Sequence, residues 1–448
     1  MPSARTITLL ALAAAAAAPC SGAAAAGLST ELLAAVVANL AASATMSWEL
    51  GTRSQALLEL NAPAYSVLTP ATPLPPPASA PASLAPVLAL AHTIVANRSA
   101  SNGGVSGPQP LLNDSAAGDP ASLGMCVLLA NWTGAGGAGG DGLDYAGAAA
   151  DQLAFLYSAK VPKTADGAIS HRTDQLQLWS DSVYMVPPFL AYYGALTSNI
   201  TLLQMAYTQI SLYRSYLLDT NAGGLWTHIA LGAGADPGHW STGNGWAAGG
   251  MLRVLGTILN TPFAPAMKTE TDDLVDWIGE IQAGMYAHMD ATGVFMNYPD
   301  LPPAPPDPSA GTGGNFYDAA STALMAAGVY RLSLLANVHT HIPQAEASRA
   351  ALYLTAANGT QAHFSASGFL QPVVNPYNYP FQLAVTDAGG SPEGEAFVLQ
   401  LDAAWRDWAA AGSRGASGGR GNATAPRGWV VVAVAVGAGA VGWWALWG

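Results

Sequence analysis

Asp181 stands among Trp179, Tyr184, Met185 and Phe189 in the stretch SHRTDQLQLWSDSVYMVPPFLAYY, residues 170–193. A carboxyl flanked by aromatic rings loses solvation, which favours its neutral form and raises its pKa toward values useful for proton donation. The competing expectation is a plain helix cap, a frequent role of aspartate ahead of an apolar run. Three further clusters carry chemistry of a similar kind. Asp119, in GDPASLG, reads first as a cap and second as an acid. Ser170-His171-Arg172 reads either as a satisfied loop or as a pair suited to binding an anion. The segment GLWTHIALGAGADPGHWSTGNGW, residues 224–246, gathers His228, His239, Trp240, Asn244 and Trp246. Tryptophan beside asparagine suits a sugar, the ring covering a pyranose face while the amide reads hydroxyls. For Trp246, packing into the core is an equal expectation. Tyr317-Asp318 with Ser321-Thr322 opens another apolar run and reads most simply as a cap.

The elements that must hold these residues are helical. Apolar stretches of helical spacing run from Leu28 to Leu60 and from Leu84 to Ala96, then over Asp119–Asn131, Tyr145–Ser158, Leu178–Leu196, Ile200–Leu218, Gly245–Leu259, Glu270–Met289, Tyr317–Ala336, Ala345–Ala357 and Glu395–Ala411. Pro187 and Pro188 are expected to kink or restart the helix that holds them. Pro63 to Pro86 is a stiff connector, and long Gly/Pro loops occur at Thr133–Gly142 and Asp300–Gly314. Strand signals are scarce. Paired helices in this number predict an all-α fold of hairpins in a ring, with loops on one rim forming a cleft.

Composition bounds the function. The chain has 448 residues, 51% of them hydrophobic and only 10% charged, with a net charge of −13. That charge and the lack of a basic stripe argue against nucleic acid as a partner. Six Asn-X-Ser/Thr sequons, at Asn97, Asn113, Asn131, Asn199, Asn358 and Asn422, suit N-glycans on a secreted chain. Residues 1–26 have the charged start, apolar middle and small-residue end of a signal peptide. Residues 412–428 read as a Gly/Ser-rich linker and 429–448 as a hydrophobic anchor signal. No Lys or Arg follows that tail, so replacement by a lipid (GPI) anchor is favoured over a spanning helix. Residues 27–411 remain for one catalytic domain. Of the two cysteines, Cys20 falls in the leader and Cys126 reads as a small buried hydrophobe. The histidines lack metal-ligand spacing, and no nucleophile elbow or phosphate loop occurs, so neither a metal nor a cofactor is expected.

The order DPASLG, DGAISHR, LWSDSVYMVPPFLAYYG, GGLWTH, HWSTGNGW, YDAASTALMAAGVYR and SPEGEAFVL, spread over Leu84 to Ala411, resembles the unsaturated glucuronyl and rhamnogalacturonyl hydrolases, glycoside hydrolase families 88 and 105 in their secreted fungal branch. The resemblance implies a six-hairpin (α/α)6 barrel. It also implies hydration of the C4=C5 double bond in the sugar that a polysaccharide lyase leaves behind. Asp181 matches the aspartate that protonates C4 and helps activate the water adding at C5. Asp119 matches the second acid, which orients sugar or water, and His228 the histidine of the GxxxH loop. Thr242 stands where the family places an arginine for the uronate carboxylate, with Arg172 and Arg253 as replacements, and Asp318 stands for a common glutamate. The candidate site is thus Asp181 and Asp119 as acids, with His171, Arg172, Trp179, His228, Trp240, Asn244, Trp246 and Asp318 around an oligosaccharide. Two alternatives stay open: a conventional glycosidase or wall transglycosylase using Asp181 and Asp119 as a carboxylate pair, and an anchored sugar-binding protein without catalysis.

Overall fold

The computed structural model describes residues 27–101, 107–136, 139–304, 314–356, 359, 361–377, 390–416, 429–432 and 443–446. The leader expected at 1–26, most of the linker and tail, Asn358 and Asn422 lie outside the described residues. Twelve α-helices occur among those described: α1 Thr30–Ser43, α2 Ser47–Asn61, α3 Ala85–Ser101, α4 Gly124–Trp132, α5 Tyr145–Tyr157, α6 Ser182–Leu196, α7 Ile200–Leu217, α8 Ser241–Leu259, α9 Lys268–Ala287, α10 Ala319–Ala336, α11 Ile342–Leu352 and α12 Pro392–Ala410. The even-numbered helices pack in the cyclic order α2, α4, α6, α8, α10, α12 and back to α2. Each odd-numbered helix lies outside one of them: α1 on α12, α3 and α5 on α4, α7 on α6, α9 on α8 and α11 on α10. This is the expected (α/α)6 barrel.

The two rings differ in pattern for a physical reason. An inner helix meets neighbours all round, so α10 is buried without a break from Ala319 to Ser333. Although α10 is apolar and long enough to cross a membrane, it is a core helix here. An outer helix buries one stripe only. In α9 the buried positions Leu274, Ile278, Ile281 and Met285 recur every three to four residues.

Boundaries moved where side chains take backbone amides. The single stretch read from Leu28 to Leu60 is two helices, because Glu49 Oε2 accepts from Thr45 N (2.7 Å) and Met46 N (2.9 Å) and starts α2 afresh. α12 begins three residues early, with Ser391 as cap and Pro392 in the first turn. α6 begins late: Leu178–Trp179 is a strand, β1, paired antiparallel with β2, Ile229–Ala230, in the register Trp179 to Ile229. Nor do Pro187 and Pro188 end α6, which continues through both. The carbonyl that Pro187 leaves without its helical donor, that of Val183, faces α8 at Gly250, where a Cβ would lie 2.0 Å from that oxygen. Two short strands of the tail, β3 Trp429–Val432 and β4 Trp443–Leu446, pair antiparallel.

Toward the C-terminal ends of the inner helices lies a buried ion network. Glu59 of α2 bridges Arg253 of α8 (2.7 Å) and Arg331 of α10 (3.2 Å), and Arg331 also holds Asp407 of α12 (2.7 Å). Glu395, near the start of α12, accepts from Leu370 N at 2.7 Å, and its other oxygen has no hydrogen-bond partner. Burial pushes its carboxyl up to about 8. The unfolded chain therefore loses a proton near pH 4.5 that the folded chain keeps until about pH 8. Stability falls with rising pH inside that window, by about 1.4 kcal/mol per pH unit for this group. Glu395→Gln is expected to flatten the decline, read as denaturation midpoints at pH 5, 6.5 and 8.

Candidate active site

The inner helices meet at their N-terminal ends, and named contacts trace that rim all the way round. Glu393 at the start of α12 accepts from Trp48 Nε1 of α2 (3.1 Å). Ser122, in the 3-10 turn Asp119–Leu123 before α4, donates toward Ser47 O of α2 (3.2 Å). His171 sits between Asp119 and Ser182 of α6. Gly243 of α8 packs on Ser180, and Thr242 of α8 donates to Asp318 at the start of α10 (3.1 Å). Gly394 of α12 packs on Ala320 of α10. Helix N-termini carry partial positive charge, so this rim can hold a concentration of carboxyl groups that water would otherwise be needed to solvate.

Asp181 occupies the N-cap position of α6 but makes no capping bond. Its side chain is 13% exposed and stands 3.5 Å from His228 Nε2. Besides His228, Ser180 Oγ bonds Oδ2 at 3.1 Å. Burial raises its pKa, with His228, a backbone bond and Ser180 opposing. The β1–β2 pair sets this geometry, since Ser180 N donates to His228 O (2.9 Å) and so draws the two loops together. Behind His228, Nδ1 meets Asp236 Oδ2 at 3.0 Å. Burial works to raise Asp236, but bonds from His228 and Tyr298 outweigh it and hold the carboxyl below its usual value. Nδ1–H donates to the ionised Asp236, which leaves Nε2 facing Asp181. Asp181, His228 and Asp236 therefore form a line along which one proton can be shared.

Asp119 lies on the other side. It is 8% exposed, and its pKa is driven well above the ordinary value by burial, then by Asp114 and Asp181, with Arg172 opposing. His171 Nε2 is 3.7 Å from Asp119 Oδ1, while Nδ1 meets Ser182 Oγ at 2.8 Å. Burial, then Arg172 and His228, push His171 down to about 3. The expected anion-binding pair is thus corrected in one half: His171 is neutral and buried, and the positive charge rests on Arg172, at the surface with Asp174 (3.2 Å). Trp179 stacks on His171 with ring centroids 4.4 Å apart and meets His228 edge-on. It is half-buried, and so keeps part of its ring for a sugar.

Four other expected sugar contacts are turned inward. For Trp240, Asn244 and Trp246 the reason is that α8 starts at Ser241, earlier than Gly245, so that its first turns are already core. Asn244 spends its amide on backbone, accepting from Trp226 N (2.9 Å) and donating to Trp226 O (2.9 Å) and Trp240 O (3.1 Å). Trp246, 1% exposed, packs edge-on against Tyr184 and Phe397. Trp240 is buried behind His228 and donates to Asn297 Oδ1 (2.9 Å). Asp318 is the cap of α10, accepting from Ser321 N, Thr242 Oγ1 and Val374 N. Arg253, offered for a carboxylate, is buried against Glu59. Asp119, Asp181, His228, Trp179 and Arg172 are what the rim brings together.

Asp236 and Glu393 were not singled out from the sequence. Asp236 sits eight residues after His228 in a glycine-rich loop, a spacing with no periodicity to expose it. Glu393 lies inside SPEGEAFVL, where proline followed by an acid reads as an ordinary first turn. Cys126 is buried and unpaired, as read from its surroundings.

Residues 143–322 match the family model described as Glycosyl Hydrolase Family 88. No curated protein matches the chain in sequence. Among solved structures, a possible member of family GH105 from Klebsiella pneumoniae superposes with a TM-score of 0.59 at 15% identity, covering 87% of this chain and 96% of that one. A glycosyl hydrolase family 88 protein from Bacteroides vulgatus gives 0.55 at 16% identity, over 84% of this chain and 98% of the other. The unsaturated glucuronyl hydrolase of Bacillus sp. GL1 gives 0.50 at 14% identity, over 83% and 94%. The family match runs through the loops that carry Asp181, His228 and Asp236, and the solved structures share the helical ring on which those loops are set.

Proposed function

We propose that the protein hydrates the C4=C5 double bond of unsaturated uronyl oligosaccharides and so releases the terminal sugar. The observation that carries this reading is a single acid with raised pKa, Asp181, backed by a histidine 3.5 Å away that can take and return its proton. Asp181 delivers its proton to C4, and positive charge develops at C5 next to the ring oxygen. Water adds at C5 while the Asp181 carboxylate, in concert with His228, accepts the proton that water gives up. The hemiketal so formed opens, and the bond to the leaving sugar is lost with it. Asp119, held neutral by burial and its acidic neighbours, presents a hydrogen-bonding group to the sugar without placing a second full charge beside Asp181. Trp179 covers the ring face.

The test uses disaccharides made by a polysaccharide lyase. Ultraviolet absorbance of the conjugated double bond is expected to fade with turnover, and kcat/KM to drop as pH rises through the raised pKa of Asp181, because the reaction needs the protonated acid. Cleavage of a saturated substrate with unchanged absorbance would instead favour Asp181 and Asp119 as a conventional carboxylate pair. Secretion, glycosylation and anchoring form part of the same proposal. The leader-like start and apolar tail support them, as do the exposed asparagines of the four described sequons, Asn97, Asn113, Asn131 and Asn199.

A further inference from the structure

Gln177 lies one residue before β1 and is 3% exposed. Its main chain is tied to the loop ahead of it: Gln177 N donates to Ser170 Oγ (3.0 Å), and Gln177 O accepts from His171 N (2.8 Å). Its side chain reaches two further elements. Oε1 accepts from Trp179 Nε1 at 3.0 Å, and Nε2 donates to Ala233 O, in the tip of the loop that joins β2 to Asp236. Gln175 holds the same tip, accepting from Ala233 N at 2.8 Å. The tip is shaped to come this close. Leu231, Gly232 and Gly234 have φ of 67°, 65° and 78°, and a Cβ on Gly232 would stand 2.6 Å from Gln177 Cγ. Positive φ is strained for a residue with a Cβ, so at Leu231 the bonds to Ala233 hold the turn against local strain.

We propose that Gln177 is a positioning residue: it fixes which edge of the Trp179 indole is turned to the sugar, and the 231–235 tip braces it there. The proposal rests on the unsaturated-uronyl reading, in which Trp179 covers the ring of the substrate. One face of the indole lies on His171, the two planes 18° apart, while His228 meets it at 74°. Stacking sets the plane of a ring but tolerates a range of offsets and rotations within that plane. A hydrogen bond is directional, so one bond at Nε1 removes the freedom that stacking leaves. The bond also decides what the sugar can meet. Nε1 is the one polar atom of an indole, and it is turned toward a buried glutamine. Every other ring atom is carbon, so Trp179 offers the substrate an apolar surface for its C–H face and its flat C4=C5 edge, not a donor for a hydroxyl. Such a contact is the same in the bound substrate and in the transition state, and therefore acts on KM more than on kcat.

The test measures KM and kcat on a lyase-made unsaturated disaccharide for wild type, Gln177→Leu, Trp179→Phe and the double variant. Gln177→Leu keeps most of the bulk and removes both side-chain bonds. It is expected to raise KM about 3- to 10-fold, up to the worth of one aromatic stacking contact, with kcat within about two-fold of wild type. Phenylalanine has no Nε1–H, so in the Trp179→Phe background Gln177→Leu should change KM by less than about two-fold. A glutamine that only supports the fold would cost the same in either background. Gly232→Ala approaches the same contact with both side chains left in place: the added methyl displaces the tip from Gln177 and is expected to repeat the rise in KM with little change in kcat. An unchanged KM in Gln177→Leu, losses that multiply in the double variant, or a fall in kcat larger than the rise in KM overturns the proposal. Should Gln177→Leu not fold, Gly232→Ala decides alone, and an unchanged KM there overturns it. If wild type leaves the absorbance untouched, the parent reading falls and this one with it; if wild type turns over and KM stays put in the variants, only this one falls.

Discussion

Asp181→Asn is expected to lower kcat on an unsaturated uronyl disaccharide by about 10³-fold, within the range that a positioned general acid contributes. The substitution removes the transferable proton and little else. Asp181 makes no capping bond to α6, and among the described residues its one side-chain hydrogen bond is from Ser180, which an amide oxygen can accept as well. Thermal stability should therefore hold or rise, because a buried ionisable group is exchanged for a neutral one of similar size. Kinetics and a melting curve on the same preparation separate this outcome from simple misfolding. A variant that keeps a tenth or more of wild-type kcat would move the acid elsewhere on the rim, with Asp119 the first place to look.

Glu59→Ala should be the most damaging single change to stability, by about 3–5 kcal/mol. Removing this carboxylate leaves Arg253 and Arg331, each no more than 3% exposed, with Asp407 as the one acidic partner among the described residues, on Arg331. Urea titration of wild type and variant measures the loss, and a loss under about 1 kcal/mol would mean that water reaches the network. The energetic role is distinct from the contribution of an intact pair, which can be near zero when both partners are replaced together by apolar groups.

Much of the architecture was legible because it follows from periodicity. A helix that must bury one face or all faces announces itself in the spacing of its apolar residues, and all eleven expected stretches lie on observed helices. What spacing could not reveal was how a side chain is spent. Asn244 and Asp318 have the chemistry to meet a sugar, but backbone amides and carbonyls claim them first. Trp246 reads equally as platform or core until the start of α8 is known to the residue, since one turn decides which way it faces. Conversely, Asp181 reads as a cap by position and is not one by bonding. The partnership of Asp236 with His228 depends on a bend in an irregular loop, and that of Glu393 with Trp48 on the closure of α12 against α2. Such contacts join residues too far apart in the chain, or too irregularly placed, for any local pattern to record.

The arginines that Glu59 bridges keep to one end of the barrel. Carboxyls without a cationic partner among the described residues gather where inner helices begin, and these arginines sit toward their ends, where Glu59 and Asp407 neutralise them.

The contact between Gly250 and the Val183 carbonyl sets how far the acid can reach. Because Pro187 withholds an amide from that oxygen, α6 gains nothing by tightening there, and its first turn is free to lean on whatever α8 offers. What α8 offers is a bare Cα with room for a hydrogen atom and no more. Asp181 stands two residues upstream of this fulcrum, so a methyl group at position 250 would act as a wedge, levering the proton donor away from His228. The spacing from Asp181 to His228 thereby depends on a residue outside the proposed site.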